Sequence, residues 1–237
     1  MSAPVPAVVT LDIWGVPTRH VAAAVWRTVA GRRLRRNGDV LFAKFLGAGD
    51  GRTFAPRDAD PTHWAVLICW RSESAAARFE ASREVSAWQR IAAERLQLRL
   101  VPLASKGQWS RREPFGNPPG GTTHDGPVAA ITRARLAPRR AREFRKAVPA
   151  VADALARQAC LLLALGIGES PVGLQGTLSV WSSAEALDRF AHRDHAHREA
   201  VRRARRDRWY AEELFARFAV LGAQGAYRGR RIPLQDR

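Results

Sequence analysis

The sequence predicts an α+β protein in which two β-α-β-β-α-β units follow one another and close a single barrel. Three observations carry that expectation. Short motifs recur in the same order in both halves of the 237 residues, strand-like and helix-like runs alternate between them in the same succession, and a Gly/Pro-rich segment separates the halves. Leu46-Gly47-Ala48-Gly49-Asp50 returns as Leu165-Gly166-Ile167-Gly168-Glu169, and Ile68-Cys69-Trp70-Arg71-Ser72 returns as Ser179-Val180-Trp181-Ser182-Ser183. Nine residues after each Trp stands an Arg-Phe pair, Arg78-Phe79 and Arg189-Phe190, and Gly107-Gln108-Trp109 is echoed by Gly225-Ala226-Tyr227. The offset drops from 119 to 111 in the middle, so the first copy carries about eight extra residues between Gly49 and Trp64.

Each element then has a local reason. In the first copy, Val8–Val16 is an apolar strand. Pro17–Arg36 is helical, with Val21, Val25, Val29 and Arg32 on one stripe. Asn37-Gly38 stops that helix, because both residues tolerate the left-handed conformation. Strands follow at Val40–Leu46 and Trp64–Arg71, then a helical run Ser72–Arg95 capped by Ser72, then strand Leu96–Leu103. The second copy gives strand Val128–Leu136, helix Pro138–Gln158, and strands Leu161–Ile167 and Leu174–Trp181. A long helical run Ser183–Phe215 and strand Phe218–Ala223 complete it. Between the copies, Gly107–Pro127 holds five Gly and four Pro and reads as a linker. The organisation is therefore a first ferredoxin-like repeat over 1–106, a linker over 107–126 and a second repeat over 127–237. Together they form a dimeric-type α+β barrel within one chain. A ligand in such a fold sits between a sheet and its helices or inside the barrel, and periodicity does not choose between them.

Composition removes several functional classes. With 46% hydrophobic residues, eight Trp and nine Phe, the chain has enough apolar surface to fold. No run approaches the roughly 20 apolar residues of a membrane span, and Met1–Ala7 lacks the basic start and apolar core of a signal peptide. A cytoplasmic protein is expected. The two cysteines, Cys69 and Cys160, fall in apolar strand-like runs and read as small buried hydrophobes, which excludes a disulfide framework or a cysteine-based metal site. There are 39 Lys and Arg against 22 Asp and Glu, a formal net charge of +17, and only three of the 39 are lysines. No helix-turn-helix, zinc finger or RNA-binding aromatic signature accompanies this charge, so no nucleic-acid partner is assigned. Peripheral contact with an anionic membrane is the alternative, with Arg202, Arg203, Arg205, Arg206 and Arg208 as the densest basic run. Phosphate-cradling and nucleophile-elbow motifs are absent.

Three of the six histidines, His192, His195 and His197, fall within six residues and only in the second copy. The shared fold does not require them. On helical spacing, Leu187, Phe190, Asp194, His197, Val201 and Ala204 form one stripe, so His197 is expected to face inward and His195 toward solvent or a loop. A zinc site from His192 and His195 lacks a third ligand. His197 is then either a satisfied interior histidine or the single axial ligand of a haem. The latter needs one inward imidazole in an aromatic-walled space, and Trp14, Trp64, Trp70, Trp88, Trp109, Trp181 and Trp209 offer the aromatic supply.

Several blocks together resemble a known family. They are Pro127-Val128-Ala129-Ala130-Ile131-Thr132-Arg133-Ala134, Gly166-Ile167-Gly168-Glu169-Ser170-Pro171, Leu178-Ser179-Val180-Trp181, and Phe190-Ala191 leading to His195-Ala196-His197. The run from Trp209 to Phe218 with Val220-Leu221 belongs with them, as do Lys44-Phe45, Gly47 to Gly49, Trp64, Trp70 and Glu113-Pro114-Phe115. These are similar to the spheroidene monooxygenases of carotenoid biosynthesis over nearly the whole chain, most strongly after residue 127 and faintly over the first 40 residues. The resemblance implies a haem-dependent monooxygenase (haem b) that hydroxylates or ketolates a hydrophobic carotenoid-like substrate. It also implies O₂ and an electron donor such as a reduced ferredoxin. Both members of the family's histidine pair are present, with His197 the first choice as ligand to the haem iron and His195 the second. On the residues alone, a haem-binding protein without turnover and a cofactor-free α+β barrel remain open.

Overall fold

Eight strands meet edge to edge in the order β1-β3-β2-β6-β7-β5-β8-β4 and close a barrel. The computed structural model describes residues 3–119, 124–136, 138–169, 176–193, 195–207 and 209–234. The first unit consists of β1 (Val8–Gly15), α1 (Val21–Ala30), β2 (Val40–Gly49), β3 (Ala59–Trp70), α2 (Glu73–Glu80), α3 (Arg83–Gln89) and β4 (Glu94–Gly107). The second consists of β5 (Val128–Leu136), α4 (Ala141–Ala156), β6 (Leu161–Gly168), β7 (Gly176–Trp181), α5 (Ala184–Arg193), α6 (His195–Arg206) and β8 (Tyr210–Gly225). Within the barrel the first unit reads β4-β1-β3-β2 and the second β8-β5-β7-β6, the same order twice. This is the tandem ferredoxin-like α+β barrel expected from the echoes.

Barrel closure explains why those particular motifs repeat. The two Gly-x-Gly echoes pair with each other where the units meet, Gly47 opposite Gly168 and Gly49 opposite Gly166. At the other junction β4 and β8 run antiparallel from Leu96–Gly225 to Gly107–Leu214. Gly107 and Gly225 end these strands at φ +94° and +81°, and a Cβ there would lie 2.2 Å from the Glu213 carbonyl oxygen and 2.0 Å from the Arg95 carbonyl oxygen. Only glycine allows that backbone conformation and approach at once. Each then leads into a short bridge, Trp109 with Arg112 and Tyr227 with Arg230. Gly225→Ala is expected to lower stability by about 2–4 kcal/mol, combining φ strain with a backbone clash. A urea midpoint equal to that of the parent protein would refute this.

The barrel interior is filled. Inward residues of every strand, among them Leu11, Ile13, Leu46, Leu67, Leu98, Ile131, Leu165, Leu178, Leu214 and Phe218, form one apolar cluster with Trp109, Phe115, Tyr227 and Ile232. Trp109 and Phe115 come from the segment read as linker, and Phe115 packs edge-on against Phe218 at 4.8 Å. Outside the barrel, the first unit's helices close over Val8, Trp14, Trp64, Val66, Ile68 and Trp70.

Several sequence expectations need correction. The run Ser183–Phe215 is not one helix: α5 ends at Arg193, α6 at Arg206, and β8 already begins at Tyr210. Helix-favouring Glu212-Glu213-Leu214 misleads because pairing on both sides, with β4 and β5, overrides local propensity. Ser72–Arg95 likewise divides, since Ser82 caps α3 by accepting from the Val85 N–H at 3.3 Å, as Ser72 caps α2 from Ala75 at 3.2 Å. The α1 stripe does not face the core, because Ala24 takes the buried position while Val25, Val29 and Arg32 are exposed. Cys69 is buried in β3, but Cys160 is half-buried in the turn before β6. The expected start of β7 at Leu174 lies outside the described residues.

Candidate active site

The two units differ in what their sheets present to their helices. Counting from the echoed Trp70 and Trp181, which pair with Val8 and Val128, the first sheet's Trp14, Val66 and Ile68 match Ala134, Thr177 and Ser179. Asp12 matches Thr132. In the first unit the layer is full: Trp14 stacks on Trp88 at 5.9 Å, and the Arg95 guanidinium lies 4.4 Å from the Trp14 ring centroid. Asp12 is buried there, accepts from Arg95 at 2.6 and 2.9 Å, and burial pushes its carboxyl up to about 6 against the pull of Arg95. In the second unit the outer rows read Ala164–Ser179–Ala130 and Gly166–Thr177–Thr132. The described apolar cluster there is Val128, Ala154, Trp181, Ala186, Leu187 and Phe190 with partly buried neighbours, and Ala134, Val148, Ala204 and Trp209 are buried beside it. Ala164 and Thr132 remain exposed in mid-sheet. Small side chains under a helical layer leave room that the first unit fills with tryptophan.

Aromatic rings close the Leu136–Tyr210 end of this sheet. Phe144 of α4 meets Trp209 at 6.1 Å and Tyr210 at 6.2 Å, both edge-on. Trp209 is buried, and its indole N–H has no hydrogen-bond partner among the described residues. Burial pushes the Tyr210 phenol up to about 12. A fourth ring arrives from the other half. Phe54, in the first copy's extra segment between β2 and β3, packs on Phe144 at 5.5 Å. Asp58 holds that segment by accepting from the Thr53 N–H and, at 3.0 Å, from the Thr53 hydroxyl. Of the tryptophans offered by the sequence, Trp14, Trp64, Trp70 and Trp88 fill the first unit, Trp109 plugs the barrel, and Trp181 packs under α5. Trp209 alone of those seven is buried with its polar atom unmatched among the described residues.

The histidines sit at the junction of α5 and α6. His192 is exposed, 3.9 Å from Asp188. His195 opens α6 and is exposed. The chain at His197 belongs to α6, while its side chain and all of Asp194 lie outside the described residues. Helix α6 packs on α4 and α5. In the basic run, Arg202 bonds Glu199 at 2.6 Å, Arg206 bonds Asp207 at 2.8 Å, and the Arg203 guanidinium lies 5.7 Å from the Trp209 ring centroid. The side chain of Arg205 and all of Arg208 lie outside the described residues.

Two charge networks escape sequence reading. At one barrel mouth, Lys44 donates to Ser110 at 2.6 Å and pairs with Glu169, which also accepts from Trp109 at 2.7 Å and Arg133 at 2.9 Å. Arg133 pairs with Glu212, which accepts from the Ser110 and Arg111 N–H groups at 3.0 and 2.8 Å. Burial opposes the charge on Glu169, but hydrogen bonds from Lys44 and Trp109 hold its carboxyl below the usual range. A cavity of about 390 Å³ lies here, lined by Ser110, Arg111, Arg133, Arg135, Glu169 and Glu212. Its charged lining suits neither a polyene nor a porphyrin face. Lys44, Glu169 and Glu212 lay within the resembling blocks, yet nothing local marks them as partners.

The second network joins the halves: His63 lies 2.7 Å from Asp60 and 2.9 Å from Glu94, and Arg228 of the C-terminal turn reaches Asp60 at 2.6 Å. Burial favours neutral His63, but the two carboxylates outweigh it and raise its pKa above 6.5. Despite burial, hydrogen bonds from His63, Thr62 and Arg228 lower Asp60, and those from the Arg228 N–H and His63 lower Glu94. The sign follows from linkage: the raised histidine contributes stability in full below its unfolded pKa and loses it as pH rises through the folded one. The lowered carboxylates contribute above about pH 4 and lose it in acid. Stability at this contact should therefore peak between about pH 4.5 and 6.5, and His63→Gln should flatten the alkaline limb of Tm against pH. An unchanged limb would refute the assignment.

The fold is an α+β barrel with an internal repeat, in which the second sheet leaves Ala164 and Thr132 exposed among the described residues. Two aldoxime dehydratase structures, one co-crystallised with butyraldoxime, share this fold at TM-scores of 0.58 and 0.56, covering 92% of this chain and 82% and 84% of theirs at 11% and 12% identity. No protein-family model matches the chain. Spheroidene monooxygenase of Rhodobacter capsulatus is 35% identical over 84% of this chain and 83% of its own length. That of Rubrivivax gelatinosus is 36% identical over 80% of this chain and 72% of its own. The enzyme of Cereibacter sphaeroides is 32% identical, with 58% of its length spanned. The chain belongs to the spheroidene monooxygenase family, and it is a monooxygenase.

Proposed function

We propose that this monooxygenase is haem-dependent and introduces oxygen, by hydroxylation or ketolation, into a carotenoid or similar apolar polyene. The observation that carries the proposal is the second unit's outer sheet face, floored by Ala130, Thr132, Ala164, Gly166, Thr177 and Ser179, where the matching rows of the first unit carry Asp12, Val66 and Ile68 beneath the Trp14–Trp88 stack. A flat apolar group fits such a floor, and the unmatched N–H of Trp209 supports the same side of the barrel. The relatives' name, spheroidene monooxygenase, supports the polyene substrate.

His197 would hold the iron of haem b, with His195 second. Residues two apart on a helix lie about 200° apart, so position 197 is opposite the exposed His195. Ala204, two turns on and on the same stripe as position 197, is buried. Bound there, the haem would supply an iron centre for dioxygen activation, with electrons from a donor such as a reduced ferredoxin. Monooxygenation places one oxygen atom in the substrate and reduces the other to water, consuming two electrons and two protons. The chain's part is to hold the planar group against a small-residue floor and exclude water with Phe144, Trp209 and Tyr210.

The visible spectrum of protein purified from haem-replete cells tests this directly, together with O₂-dependent conversion of a carotenoid. A Soret band with conversion is the expected result. A colourless protein that takes up no haemin would point to a cofactor-free barrel, and a Soret band without conversion to a haem carrier.

No described helix is long and apolar enough to cross a membrane. A carotenoid is nearly insoluble in water, so the substrate has to be collected at a lipid surface. The basic run of α6 is the sequence-level candidate for that contact, yet Arg202 and Arg206 are each paired with a neighbouring carboxylate.

A further inference from the structure

We propose that α1 and the turn after it form a docking surface for an anionic lipid bilayer. The inference rests on the carotenoid reading only for its purpose. Its observations are separate. Ala22, Val25, Trp26 and Val29, at i, i+3, i+4 and i+7, form one face of α1, and that face points to solvent. Trp26 is 67% exposed, Val29 53% and Val25 37%. These are three of the six large apolar residues exposed among the described residues, and they are contiguous. A helix normally buries such a stripe. Here the opposite side is the anchor: Ala24 is buried, Val21 and Leu34 pack on the first unit's core, and His20 Nδ1 lies 3.0 Å from the Ile91 carbonyl oxygen. Gly31 backs onto the Phe45 ring, 2.3 Å from where a Cβ would stand. The helix is therefore held with its apolar face outward.

The flanks identify the occupant. Arg19 precedes the stripe, and Arg32, Arg33, Arg35 and Arg36 follow it in a 3-10 turn, all exposed. Among the described residues none of the five is in an ion pair, unlike Arg202 and Arg206. An apolar stripe with a tryptophan, bracketed by unpaired arginines, matches the boundary between acyl chains and anionic headgroups. A second copy of this chain suits the face poorly. A two-fold contact sets like patches on each other, so arginines would meet arginines, and four side chains fall well short of the roughly 800 Å² per partner of a stable interface. Nucleic acid would use the arginines and leave Trp26, Val25 and Val29 in water.

Flotation of the full chain with vesicles tests the proposal without turnover. Expected is partitioning onto phosphatidylcholine mixed with phosphatidylglycerol, weaker partitioning onto phosphatidylcholine alone, and steep loss with salt. Trp26→Ser should lower partitioning about tenfold through lost apolar burial. Arg33→Gln with Arg36→Gln should lower it roughly 25-fold, at about fivefold per arginine near the surface. Arg202→Gln with Arg206→Gln should stay within about twofold. All these positions are solvent-facing, and unchanged melting would show that the fold is retained. Absence of vesicle binding by the parent protein, or partitioning indifferent to Trp26→Ser, overturns the proposal. A dimer in sedimentation that Trp26→Ser dissolves would assign the stripe to a second copy, and displacement from vesicles by duplex DNA with no effect of Trp26→Ser would assign the arginines to nucleic acid. Either result overturns it. A colourless protein that still floats would sink the haem reading and leave the docking surface standing.

Discussion

His197→Ala is expected to yield protein without a Soret band, while His195→Ala retains most of it. In the proposed arrangement one imidazole would be the protein's bond to the haem iron, and Val201 and Ala204, next on the same stripe of α6, carry no atom that could replace it. Even partners that only orient a metal ligand cost about 10–100-fold in affinity when removed, so loss of the ligand itself should weaken haemin binding by more than about 100-fold. His195 is exposed at the first position of α6, where an imidazole is hydrated and available to solvent. Haemin titration of both variants, with melting curves as a control for folding, measures the contrast. Equal Soret intensity in His197→Ala and the parent protein would remove His197 from the site, and loss confined to His195→Ala would reverse the order of the two.

Ala164→Phe is expected to abolish haem retention and carotenoid turnover with almost no change in stability. Ala164 lies on the outer face of β6, opposite Ser179 of β7, and is exposed although helices α4 and α5 pack on that side. Ala164 is exposed among the described residues, so stability should stay within about 0.5 kcal/mol, as for most exposed substitutions. A planar ligand lying on the Ala164–Ser179–Ala130 row would instead meet a ring standing on its floor. The equivalent change on the first sheet has nothing to block, since that layer is already full. Unchanged Soret intensity and product formation in Ala164→Phe would move the site off the second sheet.

The repeat was legible because barrel closure makes the same demands twice. Gly47 to Gly49 and Gly166 to Gly168 pair with each other, Gly107 and Gly225 end equivalent strands, and Trp70 and Trp181 sit at equivalent rows. Such positions tolerate few residue types, so they survive as echoes. The histidine cluster was legible for the opposite reason, as a feature of one copy that the common fold does not need.

What stayed hidden depended on contacts that no local window contains. Lys44 meets Glu169 across 125 positions, and Arg228 reaches Asp60 across 168, only because the barrel joins β2 to β6 and β4 to β8. The Tyr210–Leu214 stretch has the composition of a helix and becomes strand because edges on both sides claim its backbone. An α1 stripe of Val25 and Val29 looks the same in sequence whether it faces core or water, and the choice fell to Ala24 and to the grip of His20, Gly31 and Leu34. The sequence by itself determined the strand succession, the repeat and the family, since these follow from residue types and their order. Only tertiary structure decided which sheet keeps Ala164 and Thr132 exposed, which charges are paired and which helix shows an apolar face to solvent, because each is a property of what lies opposite a residue once the chain has closed on itself.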